Sequence, residues 1–193
     1  MGRILVMENL SLDGVMQAPG RPDEDTRDGF DQGGWFQPYN DEVLGRFLGQ
    51  NMGSSSGALL LGRRTYEDFA GFWPKQTDGN PFTAALDAAT KYVTSTTLAE
   101  PLSWQNSVLL RGDVAAAVAD LKRDTDLMVL GSGELVRTLA AAGLVDEYLL
   151  LIVPLLLGRG RRLFDGEARA ALQLTECVPT TTGVLITRYR AAT

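Results

Sequence analysis

Two adjacent arginines, Arg63 and Arg64, follow the apolar run ALLLG (58–62) and precede a segment with helical spacing. Guanidinium groups bind phosphate oxygens through paired, charge-assisted hydrogen bonds. The pair could therefore hold a terminal phosphate group of a ligand. Taken alone, the pair favours a turn that carries two solvated cations, and a contact to nucleic acid is a further alternative.

A turn of small residues, GSG at 131–133, follows the apolar run DLMVL (126–130) and opens a predicted helix. The backbone N–H groups at such a helix start, including those of Glu134 and Leu135, can bind a pyrophosphate without any side-chain charge. The turn is only half of a Rossmann fingerprint, because Val136 stands where the third glycine would be. A plain tight turn that caps a helix is the commoner explanation when nothing else accompanies it.

A third polar turn, TSTT at 94–97, places the hydroxyls of Ser95 and Thr96 after the predicted strand KYV (91–93). The carboxyl ends of parallel strands lie along one edge of a sheet, and ligands bind in the crevice there. Three turns that follow three apolar strands can thus converge on one ligand. Backbone amides for one phosphate and arginines for another predict a dinucleotide that carries an extra phosphate.

The composition excludes several other kinds of chemistry. The chain has no histidine, which removes Ser-His-Asp and Cys-His nucleophile systems and the common imidazole metal sites. The acidic stretch RPDEDTRDG (21–29) lacks the ligand spacing of a calcium loop and predicts a solvated loop, so no metal is expected. The single cysteine, Cys177, allows no internal disulfide, favours a reducing cytoplasm, and is expected to be a small core residue.

The net charge of −6, from 18 basic and 24 acidic residues, disfavours a protein whose main work is binding nucleic acid. The most apolar run, YLLLIVPLLLG (148–158), is interrupted by Pro154 and is too short to span a membrane. With 193 residues, 45% of them hydrophobic, the chain can bury one sizeable core. We therefore expect residues 1–193 to form a single domain that contacts neither nucleic acid nor membrane.

The elements that must position these turns alternate between strands and helices and end in two strands. Apolar runs predict strands at 3–9, 58–62, 91–97, 107–110, 126–130, 146–154, 172–178 and 183–190, and helices near 41–52, 65–73, 81–89, 113–124 and 133–142. Thr65 is the expected N-cap of the second helix, and GSSSG (53–57) is a helix-to-strand connection. The pattern predicts an α/β three-layer sandwich with a mostly parallel central sheet and an antiparallel C-terminal hairpin.

The chain resembles the dihydrofolate-reductase-like superfamily, and most closely the branch related to the C-terminal reductase domain of bacterial riboflavin-biosynthesis deaminase/reductases. The resemblance rests on motifs that cover nearly the whole chain in family order: SLDG (11–14), LLLGRRTYE (59–67), KYVTSTTL (91–98), VLGSGELVRTL (129–139), GLVDEYLLLIVPLLLGRGRRLF (143–164) and the closing pair of strands. It implies an α/β fold of eight or nine strands, NADPH as the hydride donor, and often a homodimer.

The resemblance also implies roles for individual residues. Gly62, Arg63, Arg64 and Thr65 match the turn that holds the adenosine phosphate side of NADPH. Ser95 and Thr96 match the loop that flanks the 2′-phosphate. Gly131, Ser132, Gly133, Glu134 and Leu135 match the pyrophosphate turn, and Asp13 and Gly14 match the mobile loop that closes over the nicotinamide.

Three positions depart from, or only partly match, the family pattern. Ser132 replaces the second residue of the Gly-Gly pair of dihydrofolate reductases, and Val15 stands where the riboflavin reductases commonly have a basic residue after SLDG. The acid that assists protonation in dihydrofolate reductases could correspond to Asp41 or Glu42. Both are also explained as first-turn acids favoured by the helix dipole.

The function predicted is an NADPH-dependent reductase that transfers a hydride to a small planar heterocycle, or to an imine or carbonyl compound, of pterin or pyrimidine type. Asp41 and Glu42 are the candidate proton donors. A non-catalytic NADPH-binding protein of the same fold remains an alternative. An ordinary Rossmann NAD enzyme is disfavoured, because SLDG rather than a glycine fingerprint follows the first strand.

Overall fold

A computed structural model describes residues 1–52, 57–77, 79–165 and 169–192. The strands are β1 (Ile4–Ser11), β2 (Ala58–Gly62), β3 (Lys91–Thr94), β4 (Ser107–Leu110), β5 (Leu127–Leu130), β6 (Glu147–Val153), β7 (Leu172–Pro179) and β8 (Leu185–Ala191). The helices are α1 (Glu42–Met52), α2 (Arg63–Phe72), α3 (Pro81–Ala88), α4 (Val114–Leu121) and α5 (Gly133–Ala141). Short 3-10 turns lie at Arg27–Gly29, Gln37–Tyr39 and Trp73–Lys75.

The eight strands form one sheet in the order β4-β3-β2-β5-β1-β6-β8-β7. Strands β1 to β6 run parallel, whereas β8 is antiparallel to both β6 and β7. The predicted α/β architecture, with a mostly parallel sheet and an antiparallel C-terminal pair, is therefore confirmed. Because β3, β2, β5 and β1 are consecutive neighbours, the segments that follow them lie side by side along one edge.

Helices cover both faces of the sheet, because the central strands are apolar on both sides. On one face, α4 and α5 pack against Ile4, Val6 and Leu60. On the other face, α1, α2 and α3 pack against Leu5, Met7 and neighbouring strand residues. The alternation of side chains along β1 assigns even-numbered residues to the α5 face and odd-numbered ones to the α1 and α2 face. These layers leave the carboxyl end of the sheet to be covered by loops.

Lys91, the first residue of β3, is fully buried. Its Nζ donates hydrogen bonds to the carbonyl oxygens of Leu86, Asp87 and Ala89, at 2.7, 3.1 and 2.8 Å. The ammonium group also lies 4.3 Å from the centre of the Trp104 ring. Lys91 thus satisfies the last carbonyls of α3, which a helix end leaves without partners, and ties α3 to the sheet.

Two local expectations are corrected by the structure. Helix α2 begins at Arg63 with Gly62 at the N-cap position, so Thr65 lies in the first turn and is not the cap. Cys177 is exposed on β7, because that strand forms the edge of the sheet and none of the helices in the described parts of the chain covers it. The expected connection GSSSG lies, except for Gly57, outside the described residues. Within the described residues, none of the helices combines the length and apolar character needed to cross a membrane.

Candidate functional site

A cavity of about 1340 Å³ lies at the carboxyl edge of the sheet, and the three polar turns meet in it. Its lining includes Gly62 to Thr65 after β2, Thr94 to Thr97 after β3, and Gly131 to Leu135 after β5. The remaining walls come from the end of β1, the loop after it, and helices α1, α2 and α3. The sequence-predicted phosphate-binding residues are therefore brought together, as expected for strands whose carboxyl ends share one edge.

The two arginines at the start of α2 differ in their surroundings. Arg63 forms an ion pair with Glu67, one turn along the helix, with 3.1 Å between Nη1 and Oε2. Such an exposed pair contributes little to stability and is easily exchanged for a better anion. Arg64 is exposed and has no ion-pair partner within the described residues, although it also lines the cavity. Both guanidinium groups are thus available to a phosphate, and Arg64 is the less committed of the two.

A single hydroxyl, that of Ser132, joins the arginine turn to the glycine turn. Its Oγ accepts a hydrogen bond from the backbone N–H of Gly62 at 3.0 Å and donates to Thr65 Oγ1 at 2.9 Å. Ser132 has left-handed backbone angles (φ 67°, ψ 44°), directly after Gly131 with φ 59°. Residues other than glycine seldom adopt this backbone conformation. The two hydrogen bonds of the Ser132 hydroxyl stabilise the left-handed conformation of this residue, because they hold the two turns against each other.

Helix α5 starts directly from this turn, and its first residues line the cavity. The N–H groups of the first helical turn have no acceptor within a helix, and they carry its positive dipole end. Gly131 lies so close to Thr65 that an added Cβ would come within 3.2 Å of the threonine methyl group. The close approach of Thr65 favours glycine at position 131, and the helix start beside it is electropositive, which suits a phosphate group.

The hydroxyl turn after β3 is organised by Ser95. Its Oγ accepts hydrogen bonds from the backbone N–H groups of Thr97 and Leu98 at 3.1 and 3.0 Å. Thr96, next to it, is exposed. Ser95 and Thr96 both line the cavity on the side of the arginine turn. Their hydroxyls can donate to the phosphate oxygens that the arginines would hold.

The loop after β1 forms a wall of the cavity, and this wall includes part of the stretch 21–29 that was predicted to be a solvated loop. Lining residues between 16 and 27 include Arg21, Glu24 and Asp25. The Arg21 guanidinium pairs with Asp68 on α2 and stacks 4.4 Å from the centre of the Phe72 ring, so it links the loop to α2. The Glu24 carboxylate accepts hydrogen bonds from the N–H groups of Gly20 and Arg21 at 2.7 and 3.0 Å.

The cations on this loop side of the cavity already have carboxylate partners. Four arginines line it there, and each forms an ion pair: Arg21 with Asp68, Arg27 with Asp25, Arg137 with Asp165, and Arg161 with Asp28 and Glu134. An incoming anion would have to displace a carboxylate already in place. Among the described arginines of the lining, Arg64 at the α2 start is the one without a carboxylate partner, and its neighbour Arg63 pairs with Glu67.

The remaining wall, toward α1 and α2, is apolar and aromatic. It contains Met7, Phe36, Leu48, Phe69 and Trp73. Phe36 is buried, and its neighbour Trp35 donates from Nε1 to the carbonyl of Gln17 at 2.8 Å, which fastens the loop. Asn9 and Asn40 add amide groups to this wall. A planar ring with a few hydrogen-bonding groups would fit such a surface.

Asp41 and Glu42 do not belong to the cavity lining. Asp41 accepts a hydrogen bond from the N–H of Leu44 at 2.8 Å and caps α1, while its other oxygen accepts from Thr181 in the turn between β7 and β8. These bonds lower the pKa of Asp41 to about 2. Glu42 is exposed. The structure thus gives Asp41 a role in holding α1 to the hairpin and brings neither acid to the cavity.

Asp13 and Gly14 also stay outside the lining, whereas Met16 and Gln17, just beyond them, belong to it. The Asp13 carboxylate accepts hydrogen bonds from Ser11 Oγ at 2.7 Å and from the N–H groups of Leu157 and Gly158 at 3.1 and 2.8 Å. Partial burial raises the pKa of Asp13, but these bonds outweigh it and lower the pKa to about 2. Asp13 therefore anchors the loop to the segment after β6.

Replacing Asp13 with Asn should lower the free energy of unfolding by about 1–2 kcal/mol at neutral pH, because an amide N–H would face backbone donors. A carboxylate whose pKa is lowered on folding contributes stability above its unfolded pKa and loses it as the pH falls through the folded value. The difference between wild type and D13N should therefore shrink as the pH falls from 3.8 toward about 2.

Urea denaturation over this pH range measures the effect. Asp120→Asn is the matched control, since Asp120 is exposed and forms only a surface pair with Arg123. A D13N difference that does not change with pH would contradict the anchoring role.

Sequence reasoning missed Glu8, Arg21, Glu24 and Asp68 as residues of the site. A glutamate at an even position of β1, within an otherwise apolar pattern, was the one available signal for Glu8. The loop residues gave no such signal, because their place in the cavity depends on the pairing of Arg21 with a helix 47 residues away in sequence.

Comparison with known proteins agrees with this geometry. The family model described as RibD C-terminal domain matches residues 3–186. The uncharacterized protein YyaP of Bacillus subtilis (strain 168) is 28% identical over 163 residues, which cover 79% of this chain and 86% of YyaP.

Two solved structures share the fold at low sequence identity. The "Putative riboflavin biosynthesis protein" from Shewanella sp. PV-4 is 20% identical, with a TM-score of 0.68 over 99% of both chains. A pyrimidine reductase-like protein from Corynebacterium diphtheriae is 13% identical, with a TM-score of 0.61 over 100% of this chain and 92% of its own.

Proposed function

The chain belongs to the RibD C-terminal domain family, as its motifs suggested, and from that premise we propose that it is an NADPH-dependent reductase. Its substrate is a small planar heterocycle, or an imine or carbonyl compound, of pterin or pyrimidine type. The observation that carries the proposal is the convergence of the arginine, hydroxyl and glycine turns on one cavity beside an aromatic wall. No single turn would be sufficient.

The cofactor fits the residues that line the cavity. Arg63 and Arg64, with Ser95 and Thr96, hold the adenosine 2′-phosphate, and the start of α5 holds the pyrophosphate. When bound, the nicotinamide supplies the hydride. The chain orients the two reactants, and the loop from Met16 to Arg27 with the apolar wall excludes water from the reacting atoms.

The substrate we propose carries no phosphate group. The arginines on the loop side are paired with carboxylates, so a substrate phosphate there would have to displace one of them. Val15, at the position where the riboflavin reductases commonly have a basic residue, is fully buried, and its backbone forms a β-bridge with that of Arg162. An apolar side chain at this position supplies no cation to a substrate phosphate. The aromatic wall instead favours an uncharged ring.

Equilibrium titration with NADPH and NADH, followed by NADPH oxidation with a substrate panel, tests the function. The panel pairs each ribitylamino-pyrimidine with its phosphate ester and adds pterins and simple carbonyl compounds. We expect tighter binding of NADPH than of NADH and faster turnover of the unphosphorylated member of each pair. Equal cofactor affinities would overturn the cofactor assignment, whereas NADPH binding without any turnover would favour the non-catalytic alternative.

We also propose that the chain forms a homodimer through β7 and β8. Strand β7 is an edge strand, and Leu172, Leu174 and the adjacent Leu185 are 37, 51 and 40% exposed. An edge strand that carries exposed leucines is a site for pairing with another chain.

Leu174→Glu should convert the dimer to a monomer in sedimentation analysis. Val108→Glu, at the opposite edge on β4 and 43% exposed, should leave it dimeric. A monomeric wild type, or a dimer that only V108E dissociates, would contradict this interface.

A further inference from the structure

Glu8 is a buried acid in the central strand β1 whose side-chain atom Oε1 has no partner among the described residues. It lies near the carboxyl end of β1, is 4% exposed, and lines the cavity. Its Oε1 is fully buried and has no hydrogen-bond partner, and no ion pair to Glu8 is formed within the described parts of the chain. A buried polar atom of this kind normally has a partner, and Glu8 belongs to the lining of a ligand cavity, so a ligand bound there is the natural source of one.

The order of strands along the sheet edge indicates which part of the ligand lies beside Glu8. The turns after β3 and β2 would hold the adenosine phosphate, and the turn after β5 would hold the pyrophosphate. The next strand in the sheet is β1. Neighbouring strands are about 4.8 Å apart. An extended dinucleotide that passes these turns in order therefore places its second base over the end of β1. Glu8 is on the α5 face of β1, the same face as the pyrophosphate turn.

The charge state of Glu8 limits what it can recognise. Burial, together with the nearby Glu24 carboxylate, raises the pKa of Glu8 well above its ordinary value. Burial thus favours the protonated form of this carboxyl group. A protonated carboxyl has one O–H donor and one carbonyl acceptor side by side. A primary carboxamide presents the complementary pair, with a carbonyl acceptor and an N–H donor.

We propose that the Glu8 carboxyl binds the carboxamide of the nicotinamide and so sets the orientation of the ring in the cavity. Glu8 is thus a positioning residue, because it holds the cofactor without exchanging atoms with it. This inference rests on the proposed function, since it requires NADPH as the ligand.

Binding measurements with two ligands test the inference without any substrate. NADPH has the carboxamide, whereas 2′-phospho-ADP-ribose has the same phosphates and lacks the nicotinamide. Glu8→Leu should weaken NADPH binding about tenfold, the loss of one to two buried hydrogen bonds, and leave 2′-phospho-ADP-ribose binding unchanged. Glu8→Gln keeps a donor and an acceptor, and it should bind NADPH within about threefold of wild type.

The possible outcomes separate failure of this inference from failure of the proposed function. If wild type binds neither ligand, both are overturned. If wild type binds both and E8L binds NADPH equally well, only the Glu8 assignment is overturned. Normal NADPH binding by E8L with slow hydride transfer would also overturn it, in favour of proton donation by Glu8.

Unchanged binding of 2′-phospho-ADP-ribose also shows that E8L is folded. If E8L does not fold, the inference is tested on the wild-type protein instead. Its affinity for NADPH is compared with that for the 3-acetylpyridine analogue of NADPH, in which a methyl group replaces the amide nitrogen. We expect about tenfold weaker binding of this analogue, because the N–H donor is lost. Equal binding of the analogue and NADPH would overturn the assignment.

Discussion

Replacement of both Arg63 and Arg64 with Ala is expected to raise the dissociation constant of NADPH about 100-fold and that of NADH less than about threefold. Each charge-assisted hydrogen bond to a phosphate contributes about 1.5–3 kcal/mol, and 1.4 kcal/mol corresponds to a factor of ten. NADH has no 2′-phosphate, so it loses only the weak general attraction of two exposed cations. Fluorescence titration of the double variant with each cofactor measures both constants.

The single variants should divide this effect unequally. Arg64 is exposed without an ion-pair partner among the described residues, whereas Arg63 must first leave Glu67. We therefore expect R64A to raise the dissociation constant of NADPH more than R63A does. Arg46→Ala, on the exposed side of α1 and outside the cavity lining, is the matched control for loss of one positive charge. A double variant that binds NADPH like the wild type would show that both arginines are solvated.

Lys91→Ala is expected to lower the free energy of unfolding by about 3 kcal/mol. The substitution leaves the carbonyl groups of Leu86 and Ala89 without the Lys91 donor, whereas that of Asp87 keeps its bond from Asn106 Nδ2. It also removes the aliphatic stem from a fully buried position, and each of these losses costs about 1–3 kcal/mol. Burial lowers the pKa of Lys91 to about 8, so the ammonium group still holds its proton at neutral pH. Urea denaturation at pH 7 measures the change.

Two further variants separate packing from hydrogen bonding at this position. Lys91→Met keeps most of the aliphatic stem and lacks only the hydrogen-bond donors. It should therefore recover about half of the free energy of unfolding that K91A loses. Lys75→Ala, at an exposed position after α2, should change stability by less than about 0.5 kcal/mol. A K91A protein as stable as K75A would contradict the role of Lys91 at the end of α3.

The course of the chain was predictable because apolar runs separated by small polar residues indicate strand-to-helix units. ALLLG before Arg63 and DLMVL before the glycine turn form the buried strands expected from them. The residues Gly62 to Thr65 and Gly131 to Leu135 were predicted to lie near each other in the same way, because they stand at or directly after the ends of strands that must share one edge, and the structure places both sets along one cavity.

The residues that sequence patterns did not reveal owe their positions to long-range contacts. Cys177 stands in an alternating strand, but the pattern does not tell whether that strand lies inside the sheet or at its edge. Lys91 looks like a polar residue at a strand start, and its burial depends on where α3 ends. Asp41 was expected near the substrate, whereas its bonds to Thr181 depend on the hairpin packing beside α1.

The hydrogen bonds of Ser132 have a thermodynamic consequence for ligand binding. They fix the distance between the arginine turn and the glycine turn before any ligand arrives. The entropy of ordering these two turns is therefore already lost on folding and is not lost again on association. A dinucleotide whose two phosphate groups match that distance would bind with little rearrangement, and one whose phosphates do not match it would gain only one of the two contacts.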